Sequence, residues 1–195
     1  MSSPAIIGIA GQLRAGKDTI AKRLVARWGY TRIGLADALK AEVRVRFRHF
    51  LLAYAAAVEG VGAADVEGEE ATLNWLLETK DSVIRALLQE YGTEVRRAED
   101  PDYWIKAWER RALPALTAET NPRLVVPDVR FRNEADFMAS YPRGGVVVQV
   151  TRPGFVGDTH ASERDLDGWN RWDHRFANDG NVAGLEAQVD RWIES

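Results

Sequence analysis

The sequence contains no cysteine and only two methionines. That excludes a disulfide framework and a thiolate zinc site. No apolar run reaches the roughly 20 residues that a membrane-spanning helix needs, and nothing near the start reads as a secretory leader. The expected address is therefore the reducing cytoplasm, and no membrane partner is expected. A dominant charge is missing too: 26 basic residues stand against 29 acidic ones, a formal net charge of −3. Such a balance argues against a protein held to nucleic acid by bulk charge. Lysine is scarce, and 21 of the 26 cations are arginine, whose planar fork suits phosphate contact. Internal repeats and low-complexity segments are absent. What remains is a chain of 195 residues, 46% hydrophobic, able to bury one good core.

Three short apolar runs read as buried strands: Ala5 to Ala10, Arg123 to Pro127 and Gly145 to Thr151. A short strand and a turn into another helix are expected within Tyr30 to Lys40, and another strand in the run Trp172 to Asn178. Helical spacing covers Thr19 to Trp28, closed by Gly29, then Ala41 to Ala57, Leu73 to Tyr91 ending at Gly92, Asp102 to Leu116 with Asp102 as its cap, Asn133 to Ser140, and Val182 to Ile193. The Gly- and acid-rich stretch Glu59 to Glu70 reads as a surface loop between helices. Strands separated by helices imply parallel βαβ units, an α/β fold with helices on both faces of the sheet. Ligands gather at the carboxyl ends of such strands. The loops at 11–18, 128–134 and 152–167 should therefore converge on one cleft.

The first strand runs into Gly11, four residues, Gly16 and Lys17. Glycines let backbone N–H groups wrap phosphates, the lysine reaches the β- and γ-phosphates, and the following helix start adds its positive end. Gly11, Ala15, Gly16, Lys17, Asp18 and Thr19 are thus the expected ATP-binding residues. Asp18 stands where Ser or Thr usually follows the lysine. A carboxylate there is repelled by a triphosphate, so it belongs in the water shell of magnesium or turned away, leaving Thr19 as the hydroxyl near the metal. Asp128, just past the second strong strand, is the expected acid for that magnesium ion, with helix capping as its other use.

Arg130, Arg132, Asn133 and Glu134 follow as a dense polar cluster. In Gln89 to Trp108, Gly92 allows close backbone approach, Thr93 and Glu94 offer polar contacts, and Arg96 and Arg97 offer forks for phosphate. Tyr103 and Trp104 suit base stacking or internal contact, with the latter favoured for Trp104. Arg152 to Asp167, with Gly154, Gly157 and many charges, suits a mobile cover. Within it His160 is expected to shape that cover rather than to act as a base. Phosphoryl transfer to an anionic acceptor needs no base.

Taken together, GQLRAGKDT, LADALK, LLQEYGTEVRR with DPDYWIK, VPDVRFRNEA, VTRPG with THASE, and ANDG near the end resemble the bacteriophage deoxynucleoside monophosphate kinases, P-loop enzymes related to the adenylate kinase group. The likeness runs from about residue 5 to residue 193. It implies a P-loop fold in one kinase domain, with a core of residues 1–36 and 120–195, a helical acceptor lobe of about 37–119 and a lid of about 152–167. By that resemblance Asp37 and Lys40 lie at the entrance of the lobe, and Gly92, Thr93, Glu94 and Arg97 line the acceptor pocket. Arg130 and Glu134 face the acceptor nucleotide, and Asn178 with Gly180 forms the adenine side. The implied reaction moves the γ-phosphoryl of Mg-ATP to a deoxynucleoside monophosphate, with Lys17, Arg97, Arg130 and Arg152 spreading the charge. Partners would be small nucleotides, and a homodimer is compatible with it. A kinase of another phosphorylated metabolite, of the dephospho-coenzyme A or phosphomevalonate type, and a P-loop ATPase or nucleotide-binding regulator remain open at this stage.

Overall fold

The computed structural model describes residues 4–59, 66–79, 81–118, 122–154 and 160–195. In chain order its elements are β1 (Ile6–Ala10), α1 (Lys17–Trp28), β2 (Thr31–Arg32), α2 (Ala36–Arg46), α3 (Arg48–Glu59), α4 (Val66–Glu78) and α5 (Ser82–Gln89). A π-helical stretch, Glu90–Arg97, follows, then α6 (Tyr103–Ala118), β3 (Leu124–Val129), α7 (Arg132–Ala139), β4 (Gly145–Thr151), α8 (Ala161–Arg164), β5 (His174–Ala177) and α9 (Val182–Glu194). Two compact units result: Met1–Leu35 with Ile105–Ser195, and Ala36–Trp104.

The first unit is built on a five-stranded parallel sheet in the order β2-β3-β1-β4-β5. Its central strand is apolar throughout because both of its faces are covered. Ile7 and Ile9 join Ile20, Ala21 and Leu24 of α1 and Leu185 and Val189 of α9 in one buried cluster. Residues alternate across a strand, so Gly8 points to the other face, where a methyl group would meet Val129 Cγ2 at 3.1 Å and Met138 Cβ of α7 at 3.4 Å. Helices therefore lie on both faces, as the alternation of elements predicts.

Helix α6 belongs mainly to this first unit, although the sequence places it in the helical lobe. Its fully buried Trp108 donates from Nε1 to the Ile33 carbonyl at 2.8 Å and meets Phe137 edge-on at 6.0 Å. Those contacts move the division between units back to Trp104. The helix starts at Tyr103, directly after Asp102, whose backbone N–H donates to Asp100 Oδ1 at 3.1 Å.

The second unit is helical and differs from expectation in three places. Residues 41–57 form two helices that break at Phe47, whose ring lies edge-on to Tyr91 at 5.4 Å. Leu73 to Tyr91 is likewise split, because Asp81 starts a new helix: its Oδ1 accepts from the N–H groups of Val83 and Ile84 at 2.8 and 3.0 Å, a strong N-cap. The acid-rich stretch expected as a loop to Glu70 is already helical from Val66, while residues 60–65 lie outside the described set. Acids in a first turn suit the positive end of a helix, and arginines secure these ones. Arg48 holds Glu69 and Glu70 at 2.6 and 2.5 Å, and Arg44 reaches Glu70 at 3.3 Å.

Helices α1 and α9 are fastened by Asp190, which accepts from Arg23 Nε and from Trp28 Nε1, both at 3.0 Å, and from Arg23 Nη2 at 2.5 Å. The hydrogen bond from Arg23, with help from Trp28 and Arg27, brings the Asp190 carboxyl down to about 2. A carboxyl lowered on folding stabilises the fold above its unfolded value, near 4, and that stabilisation is lost as pH falls toward 2. Asp190→Asn is therefore expected to lower the melting temperature by a few degrees at pH 7. It should also remove the part of the acid transition that lies between pH 4 and 2, as read by thermal melts over pH 2–7. An unchanged profile would mean that the cluster contributes nothing to stability.

Candidate active site

In the strand order of the first unit, the connection leaving β1 runs to one side, toward β2, and the connection leaving β4 to the other, toward β5. The crevice at their carboxyl ends is the topological switch point, where ligands bind in open α/β sheets. A cleft lies there, lined by Gly11, Gln12 and Ala15 after β1, Arg130 after β3, Arg152 after β4, and residues around Glu163. The three loops picked out in the sequence thus do converge. The cleft holds about 170 Å³, small against the roughly 300 Å³ and more of whole-ligand pockets, but sufficient for phosphate groups.

The two loop glycines are sterically required. Gly11 has φ 154°, and a methyl group on it would collide with the Val150 carbonyl. Gly16 has φ 116° and would collide with Asn178 Nδ2 at 2.8 Å and Leu185 Cδ2 at 2.9 Å. No side chain caps α1 at Gly16, so the first-turn N–H groups and the positive helix end remain for an anion. Lys17 Nζ donates to the carbonyls of Gly11 and Gln12 at 2.5 and 2.9 Å. Burial lowers the Lys17 pKa to about 8, and the like charge of Arg130 adds to that, against the acids Glu163, Asp18 and Asp128. Asp18 is exposed and Thr19 half-buried on the first turn. Asn178, expected on the adenine side, braces the loop by donating Nδ2 to the Ala15 carbonyl at 2.8 Å. Gly180 is exposed nearby in sequence.

Asp128 lies inside β3 and Oδ1 accepts from the Leu35 N–H at 2.9 Å. It does not cap α7. That task falls to Glu134, which corrects the expectation that Glu134 faces a nucleotide. Only 3% exposed, its Oε2 accepts from the N–H groups of Arg130 and Phe131 at 2.9 and 3.1 Å, satisfying orphan donors of the helix start. Among the described residues no cluster of three acids or histidines could grip a metal. Thr19 and Asp128 are nonetheless hard oxygen donors near the phosphate loop. Magnesium characteristically keeps several waters and takes one or two protein oxygens with substrate phosphates, so the donor set fits that ion.

Residues 160–167, the described end of the expected lid, are docked on the first unit. Arg132 donates its backbone N–H to Asp165 Oδ2, Nε to the Asp165 carbonyl and Nη2 to the Asp167 carbonyl, at 2.7, 2.7 and 2.6 Å. Residues 155–159, including Gly157, lie outside the described set. His160 caps α8, its Nδ1 accepting from the Ser162 N–H at 3.2 Å, a structural role as expected. Arg152 makes a long contact of 3.5 Å with the Arg14 carbonyl, and Arg164 pairs with Asp167 at 3.1 Å. Glu163 is a residue the sequence does not single out: its side chain, 2% exposed, accepts from Leu13 N–H at 3.1 Å and pairs with Arg130 at 2.7 Å. The signal was weak, since nothing in the local pattern shows that Glu163 returns to a loop 150 residues away.

The other expected residues lie in the second unit. Asp37 and Lys40 are on α2, and Lys40 pairs with Glu78 at 2.7 Å. Gly92, Thr93, Glu94 and Arg97 lie in the π-helix; Gly92 does not end a helix but continues one. The close approach it permits is internal, with a methyl group there meeting Leu39 Cδ2 at 3.0 Å and its carbonyl accepting from the buried Trp104 at 2.9 Å. Tyr91 and Arg96, five apart, are neighbours because π winding brings i and i+5 onto one face. Arg96 Nε meets Tyr91 Oη at 2.9 Å and Glu42 Oε2 at 3.2 Å, and Tyr103 donates to Glu42 Oε1 at 2.6 Å. This corrects the expectation that Arg96 offers a phosphate fork. Arg97 donates from Nη1 to the Pro101 carbonyl at 2.8 Å.

Against known proteins, residues 62–189 match the family model described as deoxynucleotide monophosphate kinase. A mimivirus protein, from Acanthamoeba polyphaga mimivirus, provisionally named a deoxynucleotide monophosphate kinase, is 28% identical over 97% of this chain and 96% of its own. Among solved structures, TT1252 from Thermus thermophilus aligns with a TM-score of 0.50 at 19% identity, over 99% and 98% of the two chains. The fold is an α/β P-loop fold, a parallel five-stranded sheet flanked by helices. A dephospho-CoA kinase from Campylobacter jejuni also aligns, with a TM-score of 0.49 at 14% identity over 97% and 96%.

The placement of Glu134 has a measurable outcome. Glu134→Ala should destabilise the ligand-free protein by about 1–2 kcal/mol, the usual loss for a helix cap, in urea unfolding without nucleotide. A carboxylate facing only a substrate would leave that value unchanged.

Proposed function

Because the chain belongs to the deoxynucleotide monophosphate kinase family, and is thus a nucleotide kinase, we propose that it transfers the γ-phosphoryl group of magnesium-bound ATP to the phosphate of a deoxynucleoside monophosphate. The products are the deoxynucleoside diphosphate and ADP. The observation that carries this reading is the meeting of the Gly11–Lys17 loop, Arg130 and Arg152 at one switch-point cleft, in a chain of that family.

In the proposed step an acceptor phosphate oxygen attacks the γ-phosphorus in line. The bond from that phosphorus to the β–γ bridging oxygen breaks, and its electron pair leaves on ADP. The nucleophile is already anionic, so alignment and charge stabilisation carry the rate. Lys17 serves the β- and γ-phosphates with the loop N–H groups and the start of α1, while Arg130 and Arg152 spread charge at the transferring group. Thr19 and Asp128 are the residues suited to magnesium, which when bound neutralises phosphate oxygens. Arg97, whose neighbour Arg96 is committed to Glu42, is the acceptor-side cation, with Gly92, Thr93 and Glu94 beside it in sequence. Residues 152–167 shield the transfer from water, which would otherwise accept the phosphoryl group.

The deciding experiment is ADP release with each common deoxynucleoside monophosphate and its ribose counterpart. ADP formation only when a deoxynucleoside monophosphate is added supports the reaction; turnover without any acceptor refutes it. Lys17→Ala should abolish transfer while the thermal melt stays near wild type. In the wild type, kcat/KM for ATP reports the free enzyme. It should decline as pH rises past about 8, where Lys17 loses its proton. Arg97→Ala should lower kcat/KM for the monophosphate by about 2–4 kcal/mol of transition-state free energy, with the binding of a fluorescent ATP analogue unchanged. Equal loss of ATP binding would move Arg97 out of the acceptor role.

A further inference from the structure

The Glu163 carboxylate is spent on two segments that come from different strands. Oε2 accepts from the Leu13 N–H of the phosphate loop at 3.1 Å, and Oε1 accepts from Arg130 Nη1 at 2.7 Å. With a side chain 2% exposed, it has lost its hydration, and a carboxylate in that position stays ionised only where charged or N–H partners replace the water. Its own seat is firm on both sides. His160 and Ser162 set the start of α8 at 3.2 Å, and Arg132 fixes Asp165 at 2.7 Å.

The partners are parts that phosphate binding requires. A polyphosphate site gathers cations that repel one another until the anion arrives. Arg130 is held here by Glu163, which also holds the loop that seats Lys17 Nζ on the carbonyls of Gly11 and Gln12. An alanine at 163 would leave the Leu13 N–H and the Arg130 guanidinium without this acceptor. A glutamine would keep an acceptor oxygen and lose the counter-charge.

From this we infer that Glu163 is a positioning residue for phosphoryl transfer: it fixes the Leu13 amide and the Arg130 guanidinium at the cleft before substrate binds. Its catalytic meaning rests on the function proposed above; its effect on Leu13 and Arg130 does not.

The test compares the wild type with Glu163→Gln and Glu163→Ala, each checked by thermal melt. In kinetics, Glu163→Ala should lower kcat/KM for ATP on the order of 10²-fold, the scale of a misplaced reacting group, and Glu163→Gln by less. Adding Glu163→Ala to Arg130→Ala should cost little more, since groups that act as a unit are not additive. Without substrate, Leu13 amide exchange should quicken in Glu163→Ala, and less in Glu163→Gln, whose amide oxygen still accepts. Unchanged Leu13 exchange in folded Glu163→Ala overturns the inference, as does a lowered melting temperature with unchanged kinetics. Should the wild type form no ADP with any monophosphate, the proposed reaction fails, while the exchange still decides the part played by Glu163.

Discussion

Assembling like charges without their counter-ion is the constraint on which the cleft depends. Each cation that improves a polyphosphate site makes the empty site less favourable, because the charges repel and burial strips their water. Lys17 bears both costs, and its pKa stands near 8 rather than in the usual lysine range. The fold answers with local bonds. The ammonium rests on the carbonyls of Gly11 and Gln12, and Arg130 rests on a buried carboxylate that also holds the loop at Leu13. The site is thereby arranged before any substrate is present, the condition under which electrostatic stabilisation acts without reorganisation.

The sheet makes this arrangement reachable. β1 lies between β3 and β4, so its exit is adjacent to the exits that deliver Arg130 and Arg152. The approach is close enough that Gly11 tolerates no side chain against the Val150 carbonyl, and Gly16 none against Asn178 and Leu185. Asn178, arriving at the end of β5, ties the loop at Ala15. Four of the five strands thus place a residue on or beside one short loop, and the covered inner faces of β1 and β4 supply the rigidity behind it.

Much of this was legible. Ala5 to Ala10 is a continuous apolar run because both faces of its strand are buried, Gly145 to Thr151 carries the valines Val146 to Val148 and Val150, and such runs need no partner to be seen. The glycine and lysine spacing was legible for the same reason: its constraint is local. What escaped depended on partners distant in sequence or on the local course of the backbone. Glu134 reads as a polar residue after two arginines, and only the bend of Arg130 and Phe131 makes it a cap. The acids before Glu70 read as loop because the arginines that neutralise them, Arg44 and Arg48, come more than 20 residues earlier. Asp81 was an overlooked signal, a short polar residue before Ser82 at the point where one apolar pattern becomes two helices. Arg96 and Arg97 are indistinguishable by type, and only the winding of their helix separates them.

That winding has a consequence for how this segment can change. In an α-helix, residues five apart diverge around the axis; in Glu90–Arg97 they stack, and Arg96 reaches both Tyr91 and the Glu42 that Tyr91 and Tyr103 also bind. The stretch therefore counts residues. With one residue fewer between Tyr91 and Arg96, that winding would hand the seat beside Tyr91 to Arg97, while Arg96, then four residues away, would keep it only where the backbone relaxed to ordinary α-pitch. Insertions and deletions here are therefore either changes of winding or re-assignments of role, so the spacing of this segment is tied to its pitch.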